Sequence, residues 1–354
     1  MGSPLPAGNP LPEAPPEAVV DGEFRFGRYA GLFERANFLD AGKLWNVEVP
    51  RWVKTWRLKE WRAILMGDAR WSMVAALYNA KLFSIALFKA WDRTSGERQG
   101  FLRIVPGSII HMGERLSVSH SSYHGRHARL DFDFNLAEDR AKATVNWKPK
   151  PDETAFHGEF VFGCSPKTMA PSSVVLPLAR NKAMYSAKAL VSMEGFLETP
   201  TGIHRFDGSS SSALFDDHKG YYPFGLKYDW VGGFGIDAKG RRTGLSLAGN
   251  PSKDANRFNE NSLWIGNRLF PLPPVRLSRA EGYKGDWVIQ DTKGLVDLVF
   301  SPSVHNDVSF HLGLLESDWH GPFGSFKGVV KNGEGETVDA SLFMGMGEEK
   351  YLRA

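Results

Sequence analysis

The chain has 354 residues, too many for one ordinary domain and comfortable for two. Lys and Arg number 43 against 40 Asp and Glu, a net charge of +3, which argues against a nucleic-acid binder driven by counterion release. A single cysteine, Cys164, excludes an internal disulfide framework and a cysteine-clustered zinc site, and reads as a small buried hydrophobe.

Apolar residues make up 42% of the chain and aromatics 12%, with 11 Trp. That richness suits strand-rich folds and apolar cavities better than helical bundles. No basic segment followed by an apolar one opens the chain, and no run of about 18 uninterrupted apolar residues occurs in it. Met73 to Phe88 comes nearest, and Asn79 with Lys81 splits it. The expectation is a cytoplasmic protein with no stable membrane insertion.

Residues 1–23 form a proline-rich leader, with Pro4, Pro6, Pro10, Pro12, Pro15 and Pro16 in its first sixteen positions. It is expected to lie as an extended strap over the body. Arg25 to Trp45 reads as loop with a short strand, Trp52 to Trp56 as a helical turn, and Arg57 to Met66 as a strand. Trp71 to Tyr78 and Leu82 to Trp91 flank the polar turn Asn79-Ala-Lys81, a hairpin signature. Short strands follow at Phe101 to Val105, Leu116 to Ser119, Ala128 to Leu136, Lys142 to Trp147 and Ala155 to Phe162. Leu130 to Leu136 alternates strictly, as a half-buried antiparallel strand does.

Ser165 to Arg180 carries Pro166, Pro171 and Pro177 and little periodicity, so the domain boundary is placed there. Beyond it the same pattern resumes, from Met184 to Leu197 through to Met346, with turns such as Asp237-Ala-Lys-Gly240 between the strands. No long amphipathic helix occurs. About twenty short strands imply an all-β fold of tandem antiparallel barrels, residues 24–180 and 181–354. Gly232-Gly-Phe-Gly235 reads as a bulge or a close approach of two backbones.

The stretch richest in chemistry is Ser212 to Trp230. Asp216, Asp217, His218 and Lys219 stand in a row at the end of an apolar strand, and aromatics follow. Alternation puts Asp216 and His218 on one face, Asp217 and Lys219 on the other. A buried carboxylate beside an imidazole is where acid–base chemistry becomes possible. Asn259-Glu260-Asn261 is a second polar cluster. His120, His124 and His127 have spacings that would suit metal ligands on a helix, but their segment is turn-like, and no metal is expected. Asp318-Trp319-His320 reads as a strand end before a turn. No nucleophile elbow, phosphate loop or Rossmann fingerprint is present.

Tyr185-Ser186, Gly195-Phe-Leu197 and Asp217-His218 resemble the double-lipocalin superfamily of hydroxyneurosporene synthase (carotenoid 1,2-hydratase) and AttH. Lys219 stands where that superfamily has Gln or Glu, and its Trp is shifted or lost. The chain is more similar to a bacterial family of unknown function in the same superfamily. The shared features are Asp217 to Pro223, Asn259-Glu-Asn261 with Leu263-Trp264, Val296-Asp-Leu298 with Phe300 and Pro302, Phe323 to Gly328, and a closing Gly345-x-x-Glu348.

The resemblance implies two lipocalin-like barrels with the Asp-His segment near their junction, beside an apolar cavity. The expected function is binding of an apolar small molecule, terpenoid, carotenoid or lipid-like, with hydration or isomerisation by a cofactor-independent hydro-lyase or isomerase. Asp217 is the expected proton donor, His218 the water-positioning base and Glu260 a second carboxylate. Tyr185, Tyr222, Tyr228 and Trp230 are expected as cavity walls, and Asp216, Lys219, Tyr221, Asn259, Asn261 and Trp264 as further ligand contacts. The alternative is a non-catalytic carrier of a hydrophobic ligand. A protein-interaction module, the third reading, requires barrels filled by side chains, with no cavity of roughly 300 Å³ or more.

Overall fold

The computed structural model describes residues 10–353 apart from 116, 149–153, 166, 180, 250–251 and 313–314, and apart from the side chains of 137, 312 and 315. Pro4 and Pro6 of the leader, Leu116, Pro166 and Arg180 lie outside the described residues. The fold is all-β. Two large antiparallel, barrel-like sheets follow one another along the chain, of 14 and 12 strands among the described residues.

Strand composition separates two kinds of strand in the first sheet. Ala128–Asn135, Arg140–Trp147 and Phe156–Gly163 keep buried residues at alternate positions for most of their length, because one side packs inward and the other meets water. Lys59–Gly67 and Trp71–Asn79 are buried at nearly every position. Their inner face joins a core with Phe88, Phe132 and Phe162. Their outer face, with Ala63, Leu65, Val74 and Ala76, packs against Trp230, Phe234, Trp264, Met344 and Met346 of the second sheet. The continuous apolar runs of the sequence are therefore strands sandwiched between two barrels. A separate core around Trp287, Phe300 and Phe326 fills the second barrel.

The sheets do not divide where the proline-rich stretch suggested. Lys182–Thr199 and Ser212–Gly220 are hydrogen-bonded into the first sheet, and the second begins at Leu226–Ile236. Ser172–Ala179, expected as irregular, is a strand between Gly27–Ala30 and Lys182–Thr199, with its register shifted at Pro177–Ala179. Proline cannot donate to a ladder, and here it sits at that irregularity. Ser262–Ile265 and Arg268–Pro271 form a hairpin, with Gly266 at positive φ in the turn.

Lys182–Thr199 is long enough to serve several partners. Its residues pair first with Ser172–Ala179, then with Ser212–Gly220, and at the far end with Phe156–Gly163 and Gly202–Phe206. Gly195, at φ +139°, lies where the last pair of strands takes over. The close approach read from Gly232 to Gly235 is present: Gly233 pairs with Gly345, and a Cβ on Gly345 would collide with the carbonyl of Gly232. The described part of the leader lies against the first barrel, with Ala18 and Val19 buried and Val19 N donating to Asn37 Oδ1 at 2.9 Å.

Candidate functional site

Strand register builds the site. On Ser212–Gly220, Asp216 is paired with Lys188 and His218 with Ser186 on one side, and His218 is paired with Trp61 on the other. Residues directly opposite in a ladder point to the same face. These side chains face the second barrel. There the pairs Tyr228 with Lys350, Trp230 with Glu348 and Leu226 with Leu352 point back at them. A cavity lies between the two faces, where the barrels meet. Tyr78, Met184, Tyr222, Ala248 and Glu260 complete its wall. Its volume is about 40 Å³, room for two or three water molecules. The half-buried Tyr222 and Tyr228 stand at its edge.

One side of the cavity is a compact charged cluster. His218 Nε2 lies 2.7 Å from Asp216 Oδ1 and 3.7 Å from Glu260 Oε2. Lys188 Nζ donates to Asp216 and stands 3.3 Å from Glu260 Oε2. Ser186 Oγ donates to Glu260 at 2.7 Å. Burial works against the charge on Asp216, but His218 and Lys188 outweigh it and hold the carboxyl well below the usual carboxylate range. Burial likewise pushes His218 and Lys188 down, and the neighbouring carboxylates reverse this, leaving both above their ordinary values. This side is ionised: carboxylate, imidazolium and ammonium.

The other side is drier. Burial pushes the Glu348 carboxyl above its ordinary value, against the pull of Lys350 and of Tyr228, whose Oη donates to Glu348 Oε1 at 2.9 Å. Burial pushes Lys350 down. Its Nζ sits 4.6 Å from the ring centroid of Trp61 and 4.7 Å from that of Tyr78. Tyr222 and Tyr228 are raised well above an ordinary phenol, mainly by burial, and stay neutral. Trp230 donates Nε1 to Ser246 Oγ at 2.9 Å, which fixes its ring beside Lys188, 5.5 Å from the centroid.

The structure gathers Asp216, His218, Glu260, Tyr222, Tyr228 and Trp230 at this cavity and turns the other expected residues elsewhere. Asp217 points into the first barrel, where its Oδ1 takes a hydrogen bond from Arg62 Nε at 2.9 Å and both side chains are buried. An aspartate so paired inside a barrel is not placed to protonate anything in the cavity. Tyr185 packs on Phe33 and Phe38 in that same core. Tyr221 donates to Phe38 O at 3.0 Å. Lys219 lies on the face of Asp217, donating to Glu114 O at 2.6 Å. Asn259 and Asn261 satisfy backbone groups, Asn261 Oδ1 accepting from Ala248 N at 2.7 Å and Asn259 Oδ1 from Asn261 N at 3.0 Å. Trp264 donates to Ala170 O at 2.7 Å, between the barrels but off the cavity.

Sequence reasoning missed Lys188, Glu348, Lys350, Trp61 and Tyr78. Glu348 was visible as the end of the closing Gly-x-x-Glu motif, without a role. The others come from strands far apart in the chain, and only register brings them together. His120 and His124 are on the strand Val118–His124 and pair with Asp133 and Asp131 across the ladder. His311, Glu316 and Asp318 bring ligand-type atoms within 4.8 Å of one another on the exposed hairpin Asp307–Leu312 and Leu315–His320. No helix among the described residues is long and apolar enough to cross a membrane.

The chain belongs to the family described as a domain of unknown function, DUF2804, whose profile matches residues 39–353. No curated protein matches it. Among solved structures, it is similar to kievitone hydratase from Nectria haematococca, with 11% identity, a TM-score of 0.47, and coverage of 83% of this chain and 88% of that one.

Proposed function

We propose that in this member of the DUF2804 family the cavity between the barrels binds a small, largely apolar molecule and moves a proton on it, by hydration or isomerisation. One observation carries the reading. Two titratable groups, both with raised values, face a single space: His218, whose protonated form Asp216 favours, and Glu348, made more basic by burial. A carboxyl made more basic and an imidazole held more readily protonated, facing one space, are a base and an acid for proton transfer.

The roles follow from those states. His218 gives a proton to an unsaturated carbon. The ring faces of Trp230 and Tyr228 stabilise the positive charge that develops. Glu348 takes a proton, from an incoming water in hydration or from a neighbouring C–H in isomerisation. Asp216, Lys188 and Glu260 hold the imidazole and set its charge. The volume of the cavity favours a small ligand, or one that displaces the tyrosines at its edge, over a carotenoid.

The barrel interiors are filled by side chains and the cavity is about 40 Å³, as the protein-interaction reading requires; what favours a ligand instead is the cluster of ionisable side chains turned into that cavity, which places the ligand between the barrels rather than inside either. The test is incubation of the protein with a cell lipid extract in D2O, followed by mass spectrometry. Deuterium entering a compound at carbon, lost in both His218→Gln and Glu348→Gln, supports the reading. A compound that is retained but never labelled leaves the carrier alternative.

A further inference from the structure

Among the acidic and basic side chains that line the cavity, Lys350 is the one to which proton transfer gives no role, and its surroundings are unusual. It sits on the strand Met344–Arg353, buried, with its Nζ over the rings of Trp61 and Tyr78. Among the described residues no side-chain ion pair is formed by that nitrogen, and Lys350 lines the cavity. A buried ammonium normally takes acceptors or loses its proton. Lys188, across the cavity, takes the first course with Asp216 and Glu260. Lys350 also borders a second, apolar hollow, lined by Leu87, Leu102, Val308 and Trp319. Trp61 is shared by both spaces. The amine therefore stands at a junction, with polar groups on one side and hydrocarbon walls on the other.

We infer that Lys350 is a nucleophilic lysine that forms an imine with a small aldehyde or ketone held in the cavity, its alkyl end turned toward the second hollow of about 20 Å³. This names a substrate class for the cavity and rests on the reading of that cavity as a ligand site. Burial favours the free amine, and a lysine desolvated in an apolar pocket is a recognised route to an amine nucleophile. Its lone pair adds to the carbonyl carbon, the new C–N bond forming as the carbonyl π pair moves to oxygen. That oxygen takes one proton and the nitrogen gives one up. A second proton, from the imidazolium of His218 or the carboxyl form of Glu348, lets the C–O bond break and water leave. The product is the iminium of Lys350. Water is the other product, and no oxidant or reductant takes part.

The competing role is a staple, an ammonium held over two rings to join the barrels. Reductive trapping separates the two. The full-length protein is treated with limiting butanal and sodium cyanoborohydride at neutral pH, and the alkylated peptides are mapped. The inference expects the mass of one butyl group on Lys350 ahead of the exposed lysines, and its loss in Lys350→Arg, which keeps a cation over the rings but forms no imine. Butyl groups spread over surface lysines with Lys350 untouched would overturn it. If Lys350→Arg fails to fold, competition answers instead. Ala248→Phe narrows the cavity from the same second-barrel sheet, across the strand Leu226–Ile236 from Lys350, and should slow trapping at Lys350 several-fold while leaving the surface lysines alone; trapping at the same rate overturns the inference. Glu348→Gln keeps the two proposals apart. Trapping that persists there while deuterium transfer stops leaves both standing. Trapping absent from the wild type while deuterium transfer continues removes the imine alone.

Discussion

Asp216 and Asp217, neighbours in the chain, serve different barrels: Asp216 Oδ1 lies 2.7 Å from His218 Nε2 at the cavity, and Asp217 Oδ1 accepts from Arg62 Nε at 2.9 Å in the first barrel's core. Arg62 also donates to Ser119 and Ser121 there, at 2.7 and 2.8 Å. Removing Asp217 strands a guanidinium whose side chain is 1% exposed. Asp217→Ala should therefore destabilise the fold by about 3–5 kcal/mol, read as a shift in the urea midpoint. Full stability in that variant would mean the pair is not buried as described.

The rate of any reaction at the cavity should follow a bell in pH. It rises as Glu348 ionises, at a value raised by burial, and falls as His218 loses its proton, at a value raised by Asp216. Glu348→Gln should remove most of the activity at every pH, on the order of 10²-fold or more. Rates measured across pH with the labelled compound check this. A profile with no fall on the alkaline side would assign the acid to another group.

Stability should carry the same charges with opposite signs. The value of Asp216 is depressed in the folded state. Its contribution is present above about pH 4, the ordinary aspartate value, and is lost as pH falls through the depressed one. That of His218 is raised. Its contribution is complete below about pH 6.5 and disappears as pH rises through the raised value. Urea titrations of Asp216→Asn and His218→Gln against the wild type should show the first difference shrinking in acid and the second shrinking in alkali. The reverse order would contradict the ionisation states of the cluster.

Gly195 offers a test of the strand exchange. At φ +139° it holds a conformation that side chains rarely adopt, and a Cβ there would run into the carbonyl of Glu159. Gly195→Ala should cost about 1–3 kcal/mol, measured by denaturation, with the cavity chemistry retained once folded.

Much of the fold was legible because period-2 alternation is local. Leu130 to Leu136 gave its strand directly, and Asp216 with His218 fell on one face as alternation requires. The site was legible only in part. Which face of Ser212–Gly220 meets the cavity depends on what packs there, so Asp217 was expected as the proton donor and Asp216 only as a ligand contact. Lys188 reaches the cluster through its ladder partner Asp216, and Lys350 and Glu348 through the far end of the chain. Pro177 looked like a break, yet a strand edge tolerates it at an irregular register. Burial on both faces of Trp71–Asn79 was written in its apolar run, but not the partner that covers the second face.

The central claim is that the space between the barrels holds a ligand. Native mass spectrometry of the protein purified from its own cells, beside an equally folded Ala248→Phe variant, tests it most directly. The account predicts a small hydrophobic compound on the wild type that the variant lacks. The same compound on both proteins, or none on either, would contradict it.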